Sequence, residues 1–235
     1  MSNFLVLGDT HMPWMSKTAF SMILDFLDGD GKGIDYVVQI GDLFDMFSAG
    51  RWARSFDLIT PKEEFTQARE MGEEFWRELR KRCPSAQCFQ IMGNHDDRPL
   101  KQILEKAPEL ASLLDVRHLW EFEGVTTVHD GRQELVLEGI CFMHGFRSKL
   151  GDHAKWNQLR TCTGHSHRGG VHYFPVRTLR DGKLISTTAW EMNAGYLGDP
   201  TQVPLQYSKQ MLTNWTLGFG IIDGLGPRFC PINLE

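Results

Sequence analysis

Aspartate, histidine and asparagine recur in this chain at the ends of short apolar runs, in groupings that suit metal binding. Asp9-Thr10-His11 follows Phe4-Leu5-Val6-Leu7. Gly41-Asp42-Leu43-Phe44-Asp45 follows Tyr36-Val37-Val38-Gln39-Ile40, and Gly93-Asn94-His95-Asp96 follows Cys88-Phe89-Gln90-Ile91-Met92. His144-Gly145 follows Ile140-Cys141-Phe142-Met143, and Gly164-His165-Ser166-His167 follows another short segment. In Asp9-x-His11 and His165-x-His167 the i,i+2 spacing sets both side chains on one side of an extended chain. The glycine before a motif, as at Gly8, Gly41, Gly93 and Gly164, lets the backbone turn sharply where a bulkier residue would clash. Any one of these groupings arises often by chance, and a lone histidine is more often a core or surface residue than a ligand. Five in this order, each behind an apolar run, signal one shared site.

For five loops to meet, the runs before them must be strands whose carboxyl ends share a rim, where ligands collect in open α/β sheets. Strands are expected at 4–7, 36–40 and 88–92. A helix should start after Ser16, which can cap it, with Phe20, Ile23, Leu24 and Leu27 on one face and Gly29 near its end. The clearest helix is 61–82. Thr60-Pro61-Lys62-Glu63 makes a capping box with Pro in the first turn, Arg77, Arg80, Lys81 and Arg82 gather at the far end, and Pro84 stops it. Strand, loop and helix in turn indicate an α/β fold with a largely parallel sheet. The second half predicts strands at 134–143, 171–176, 183–189 and 215–222, short helices at about 99–106 and 150–159, and a surface loop over 198–214. No linker-like stretch divides the halves, so 1–235 reads as one domain of two packed sheets flanked by helices.

At 235 residues, 41% hydrophobic and 23% charged, the composition is that of an ordinary globular chain. A net charge of −5 excludes a protein that coats nucleic acid by charge alone, while leaving room for a local basic groove. Five cysteines without a C-x-x-C pair argue against a disulfide framework or a zinc knuckle. No basic segment precedes the short apolar run at the amino terminus, and no stretch approaches the ~20 apolar residues of a membrane span. The expectation is a cytoplasmic protein with reduced thiols.

Taken together, the five motifs resemble the calcineurin-like metallophosphoesterase superfamily, whose pattern is D-x-H, G-D-x-x-D, G-N-H-D/E, a lone H and G-H-x-H. The likeness spans residues 9 to 167. It implies an α/β four-layer sandwich of two mixed β-sheets between helices, with two divalent transition-metal ions at the rim. By the resemblance, one ion is held by Asp9, His11, Asp42 and His167. The other is held by Asn94, His144 and His165, with Asp42 bridging the pair. His95 stays off the metals and faces the substrate phosphate, steadied by Asp45, with Asp96 as the other local candidate. Two ions about 3.5–4 Å apart clamp phosphoryl oxygens and lower the pKa of a bridging water. Asn94 supplies a neutral oxygen, which limits ligand charge. Imidazoles with one or two carboxylates suit Mn, Fe, Zn or Ni better than Mg or Ca, and Mn²⁺ is the first choice. A protonated His95 can donate to the leaving oxygen. His118, His129, His153 and His172 lack such settings.

The substrate is read from departures and neighbours. Serine/threonine phosphatases of this superfamily carry Arg-Gly directly after the second Asp, where the Arg grips phosphate; this chain has Asp45-Met46-Phe47-Ser48. The loops at 41–45 and 93–96 look more like the exonuclease and phosphodiesterase branches. Arg147, Lys149, Lys155 and Arg160 follow His144 with one acid, Asp152, among them; Arg168 follows His167, and Arg98 follows the His95 loop. Arg51-Trp52-Ala53-Arg54 pairs cations with an aromatic that can stack on a base. Arg51, Trp52 and Arg147 are therefore the expected substrate contacts. An acidic chain argues against tracking a long duplex, which needs many phosphate contacts. The expected activity is hydrolysis of phosphodiester bonds in a nucleotide or a short single strand. The rivals are a phosphomonoesterase or protein phosphatase, and a non-catalytic scaffold. A scaffold predicts missing ligands, and none is missing.

Overall fold

Alternation along β1 (Phe4–Leu7) sets the layering of the computed structural model, which describes residues 2–50, 59–111, 117–128, 134–202, 204–205 and 214–234. Leu5 and Leu7 join one core with Ile23 and Leu27 of α1 (Lys17–Asp28) and Phe75 and Leu79 of α2 (Pro61–Arg82). Phe4 and Val6 join another, with Ile140, Phe142, Cys162 and Met192. A strand's period of two thus divides its apolar residues between a helix layer and a second sheet.

In the first sheet β1 runs parallel to β2 (Tyr36–Ile40), β2 to β3 (Gln87–Ile91), and β3 to β4 (Val125–Val128). On its other side β1 is antiparallel to β10 (Gly218–Asp223), which returns as β11 (Gly226–Pro231). In the second sheet β5 (Glu134–Leu137) is antiparallel to β6 (Ile140–Met143), which is parallel to β7 (Arg160–Thr163). Next comes β9 (Lys183–Asn193), parallel to β7 and antiparallel to the edge strand β8 (Gly170–Arg180). A short helix, α4 (Asp152–Asn157), lies against β7 and β9 as the fourth layer. The architecture is two mixed β-sheets flanked by helices.

Local chemistry sets the helix ends. Ser16 Oγ accepts from Ala19 N at 3.2 Å and starts α1. Thr60 and Glu63 exchange hydrogen bonds as a capping box, and Arg80, Lys81 and Arg82 sit in the last turn of α2.

The structure departs from the sequence expectations where pairing outweighs the local pattern. The run 134–143 is a hairpin, because Glu138 and Gly139 both take positive φ and reverse the chain. Helix 150–159 shrinks to Asp152–Asn157. The predicted strands at 171–176 and 183–189 extend to eleven residues each as a two-stranded ribbon, with Pro175 tolerated on the edge strand. The strand expected at 215–222 begins at Gly218. β4, β7 and β11 come without a strong apolar signal. β7 reads Arg-Thr-Cys-Thr, yet it lies between β6 and β9 with Thr161 and Thr163 buried. β11 carries Pro at both ends, which an edge allows. Most of the loop expected over 198–214 lies outside the described residues. Among the described residues no helix is long and apolar enough to cross a membrane.

Candidate metal centre

The loops after β1 and β2 continue to pair beyond the strand ends. Asp9 N donates to Gly41 O at 3.1 Å, His11 N to Asp42 O at 3.0 Å, and Asp45 N to Met12 O at 2.9 Å. Asp96 ties the β3 loop to them, accepting from Gly93 N (2.8 Å), Phe44 N (2.9 Å) and Leu43 N (3.3 Å). Burial and the neighbouring Asp42 charge push the Asp96 carboxyl up to about 7, against the hydrogen bonds from Phe44 and Gly93.

Glycine serves these loops mainly by leaving room. Gly8, Gly93 and Gly164 are not left-handed; a Cβ at Gly93 would collide with Asp42, and one at Gly164 with the Asp9 carboxylate. Gly41 (φ 101) turns as the sequence predicts, but at the other three the turning is done by the polar residues themselves. Asp9 (φ 51), His11 (φ 50), Asp42 (φ 51), His165 (φ 65) and His167 (φ 59) all lie in the left-handed region. Such backbone strain concentrates at functional sites.

Two clusters of donor atoms result. In the first, His11 Nε2 faces His167 Nε2 at 3.2 Å, and His167 Nε2 lies 3.0 Å from Asp9 Oδ1. His11 directs its Nδ1 to Asp45 Oδ1 at 2.9 Å, so in the neutral ring the inward nitrogen carries the lone pair. His167 Nδ1 is buried with no hydrogen-bond partner among the described residues. In the second cluster, Asn94 Oδ1 lies 2.9 Å from His165 Nδ1 and 3.1 Å from His144 Nε2, and Asp42 Oδ2 lies 3.3 Å from His144 Nε2. His144 Nδ1 is occupied by Ile40 O at 3.1 Å. A backbone or carboxylate partner on the outer nitrogen is the usual way a ligand histidine is oriented.

The electrostatics match cation sites. Burial works against a charged ring at His144, but Asp42 outweighs it and pushes the ring up to about 9. Burial likewise works against the Asp42 and Asp9 carboxylates, yet the imidazoles around them win and hold both below the usual carboxylate range. At His165 burial and the His144 charge act together and push the ring down. Oxygens and ring nitrogens converge here with few protons to share, and a divalent cation satisfies several such lone pairs at once. The residues fit two ions of the kind expected.

His95 stands between the clusters and the open cavity. Its backbone N donates to Asp42 Oδ1 at 2.8 Å, and its Nδ1 donates to Asp45 Oδ1 at 2.7 Å. Asp45 is thus the carboxylate beside His95, and Asp96 braces backbone instead. Burial opposes charge on His95, but Asp42 and Asp45 together raise its pKa. Burial also opposes charge on Asp45, and the hydrogen bonds from His11 and His95 prevail and hold it well below the usual range. Arg98, at the start of α3 (Arg98–Lys106), donates to His95 Nε2 at 2.9 Å and to Asp45 O at 2.8 Å. The cavity in front has a volume of about 830 Å³ and is lined by Asp42, Asn94, His95, Arg98, His165 and Phe146, among others.

Of the expected substrate contacts, Arg51 and Trp52 lie outside the described residues, as does His129. Arg147 is exposed and is not among the residues that line the cavity; its guanidinium lies 5.3 Å from the Phe146 ring and 5.5 Å from the Trp156 ring. Several residues came with no sequence signal. Asn193 Nδ2 holds Gly164 O at 2.6 Å, Tyr196 stacks on His167, and Trp215 meets the same ring edge-on. His153, which has no such setting in the sequence, is buried on Glu191 and holds the loop after His144 by accepting from Phe146 N and Arg147 N.

A family model described as calcineurin-like phosphoesterase matches residues 2–208. The Gene 54 proteins of Mycobacterium phages L5 and D29 are each 28% identical to this chain, over 252 and 250 residues; the matches cover 97% of the chain and 92% of each relative. Among solved structures, hypothetical protein PH1004 from Pyrococcus horikoshii OT3 matches with a TM-score of 0.47, and Vps29 from Chaetomium thermophilum with 0.40. Both are 14% identical over 100% of this chain, covering 89% and 97% of theirs.

Proposed function

The chain belongs to the calcineurin-like phosphoesterase family, and on that premise we propose that residues 1–235 act as one domain that hydrolyses phosphodiester bonds, with two divalent transition-metal ions, Mn²⁺ foremost. The substrate is a nucleotide or short single-stranded nucleic acid. The observation that carries the dinuclear reading is the place of Asp42, whose carboxylate stands within reach of His11 in the first cluster and of His144 in the second. In this reading Asp9, His11, Asp42 and His167 hold one ion, and Asn94, His144 and His165 hold the second with Asp42 shared. When bound, the ions supply charge neutralisation at the phosphoryl oxygens and a nucleophile at neutral pH.

The chain's own residues orient and move protons. Asp45 fixes His95 with Nδ1 inward, so Nε2 is the atom that carries the proton to the leaving oxygen. Arg98 now occupies that nitrogen. An anionic phosphoryl oxygen draws the guanidinium to itself, and Nε2 is then free to face the leaving group. Gly41, Gly93 and Gly164 keep the loops close enough to hold this geometry.

The diester preference rests on Met46, which is buried where a protein phosphatase carries its Arg. A dianionic monoester profits most from a cation there; a monoanionic diester asks less. The rival monoesterase reading is favoured by Arg98, Lys101 and Arg168, which also line the cavity. The deciding measurement is kcat/KM with Mn²⁺ for a bis-aryl diester, an aryl monoester, cyclic nucleotides, a phosphopeptide, and single- and double-stranded DNA. Diesters should lead. A phosphopeptide preferred tenfold or more moves the protein to the monoesterase branch.

A further inference from the structure

Beside the metal cluster the chain exposes two large aromatic rings with a cation between them. Phe146 is 59% exposed and Trp156 69% exposed. The Arg147 guanidinium lies 5.3 Å from one ring centre and 5.5 Å from the other. We propose that Phe146, Arg147 and Trp156 form a base-stacking subsite for a single-stranded nucleic acid whose scissile phosphate lies in the adjoining cavity. The proposal rests on the phosphodiesterase reading and names where that substrate's neighbouring base is held.

Three observations support it. The first is rigidity. His153 Nε2 accepts from both Phe146 N and Arg147 N at 3.1 Å, while Glu191 accepts from His153 Nδ1 at 3.1 Å and from Ala154 N, in the helix that carries Trp156, at 2.8 Å. One buried pair therefore anchors both halves of the platform, so the rings are presented in a fixed geometry before any ligand arrives. The second is continuity. Phe146 lines the 830 Å³ cavity and also a neighbouring groove of about 620 Å³, which Val136, Met143, Trp156 and Leu159 line together with Glu134 of the edge strand β5. A strand whose phosphate is in the cavity reaches the groove by passing over Phe146.

The third observation is charge. The described structure pairs the Arg147 guanidinium with rings and with no carboxylate. Lys149 and Lys155 are exposed close by in the chain. Aromatic faces stack on any base, and a guanidinium adds attraction to both base and phosphate. A protein partner would match the apolar floor but would not need the cations. A single strand uses both.

The test is fluorescence anisotropy of a labelled octathymidylate with phosphorothioate linkages, which resist hydrolysis, against the whole chain with Mn²⁺ and again with chelator. An abasic octamer of equal charge is the control. Turnover of a bis-aryl diester is measured in parallel. Trp156→Ala should weaken octathymidylate binding by about 5- to 150-fold, the range for losing one base stack. Trp156→Phe should restore most of it, and bis-aryl turnover should stay at wild-type level in both. Equal binding of thymidylate and abasic octamers overturns the proposal, as does wild-type affinity in Trp156→Ala. So does a shift from dimer to monomer in Trp156→Ala by sedimentation without change in oligonucleotide affinity, which would make the patch a self-association face. No turnover of the bis-aryl diester, with the stacking effect intact, would instead remove the catalytic reading and leave the subsite standing.

Discussion

Asp45 offers a way to separate the two tasks of the site, because one of its oxygens serves both. Oδ1 accepts from His11 Nδ1 at 2.9 Å and from His95 Nδ1 at 2.7 Å. Asp45→Asn keeps the size and an acceptor oxygen but removes the charge. Hydrogen bonds to charged groups contribute about 1.5–3 kcal/mol, and charge assistance accounts for roughly half of that. Each contact therefore loses about 1 kcal/mol, or about fivefold in an equilibrium or a rate. The two losses fall on different observables. With His11 as a metal ligand, as proposed, the Mn²⁺ concentration for half-maximal activity should rise about fivefold. With His95 as the proposed proton donor, kcat at saturating Mn²⁺ should fall about fivefold. Their product lies inside the 10- to 100-fold range usual for partners of ligand histidines. The assay is bis-aryl diester hydrolysis over a Mn²⁺ titration, with thermal melting to confirm folding. Asp45→Ala should go further in both quantities, since it leaves the buried His11 Nδ1 without its acceptor and His95 Nδ1 with only the backbone Asp45 O at 3.1 Å. Unchanged kcat at saturating Mn²⁺ would separate Asp45 from His95, and no change in either quantity would refute the shared-carboxylate reasoning outright.

Asp42→Asn should abolish bound Mn²⁺ at both positions by metal analysis while leaving the circular dichroism spectrum intact; wild-type metal content in that variant rules out a bridging role. His95→Ala should keep both metals and lower turnover by about 10²–10⁴-fold. That loss should shrink for nitrophenolate leaving groups, and equal losses for good and poor leaving groups point to phosphate binding instead. Arg98→Ala should raise KM for an aryl monoester more than for a bis-aryl diester, because the dianion leans harder on a guanidinium; the reverse order detaches Arg98 from the substrate phosphate. Glu191 tests pH dependence away from the metals. Burial raises its carboxyl, but the hydrogen bonds from His153 and Ala154 prevail and hold it below its ordinary 4.5. A carboxyl depressed by folding stabilises above its unfolded value, and that contribution fades as pH falls through the folded value. Glu191→Gln should therefore cost about 2 kcal/mol at pH 7, with the gap in melting temperature closing below about pH 4.5; a gap constant down to pH 3 contradicts the charged hydrogen bonds.

The layered fold and the meeting of five loops were legible in the sequence for local reasons. An apolar run, a turn and a capping box such as Thr60–Glu63 each declare themselves within a few residues. β7 did not, because a strand of Arg, Thr and Cys owes its burial to β6 and β9 on either side, which no local pattern encodes. The glycines were legible as necessary, and Gly41 for the right reason, but Gly93 and Gly164 yield space to carboxylates from other loops, and that is a fact of tertiary approach. Asn193, Tyr196 and Trp215 reach the GHxH loop from distant segments, so only the folded chain brings them there. His153 shows the same limit, since its partner Glu191 is far along the chain and its role is to hold backbone.

The left-handed backbone at five of the candidate ligands has an evolutionary reading. Asp9, His11, Asp42, His165 and His167 stand in conformations that glycine adopts without penalty and that side chains resist. At His165, half-buried and hydrogen-bonded through its side chain to Asn94 alone among the described residues, a change to glycine would relieve strain and lose little else. Selection for chemistry is then the force that keeps histidine there. A lineage released from that selection would lose His165 before Asp9 or Asp42, whose carboxylates hold the backbone N–H groups of His165 and His95. The first step away from the ligand set would then cost the fold little, and the later ones would cost it buried hydrogen bonds.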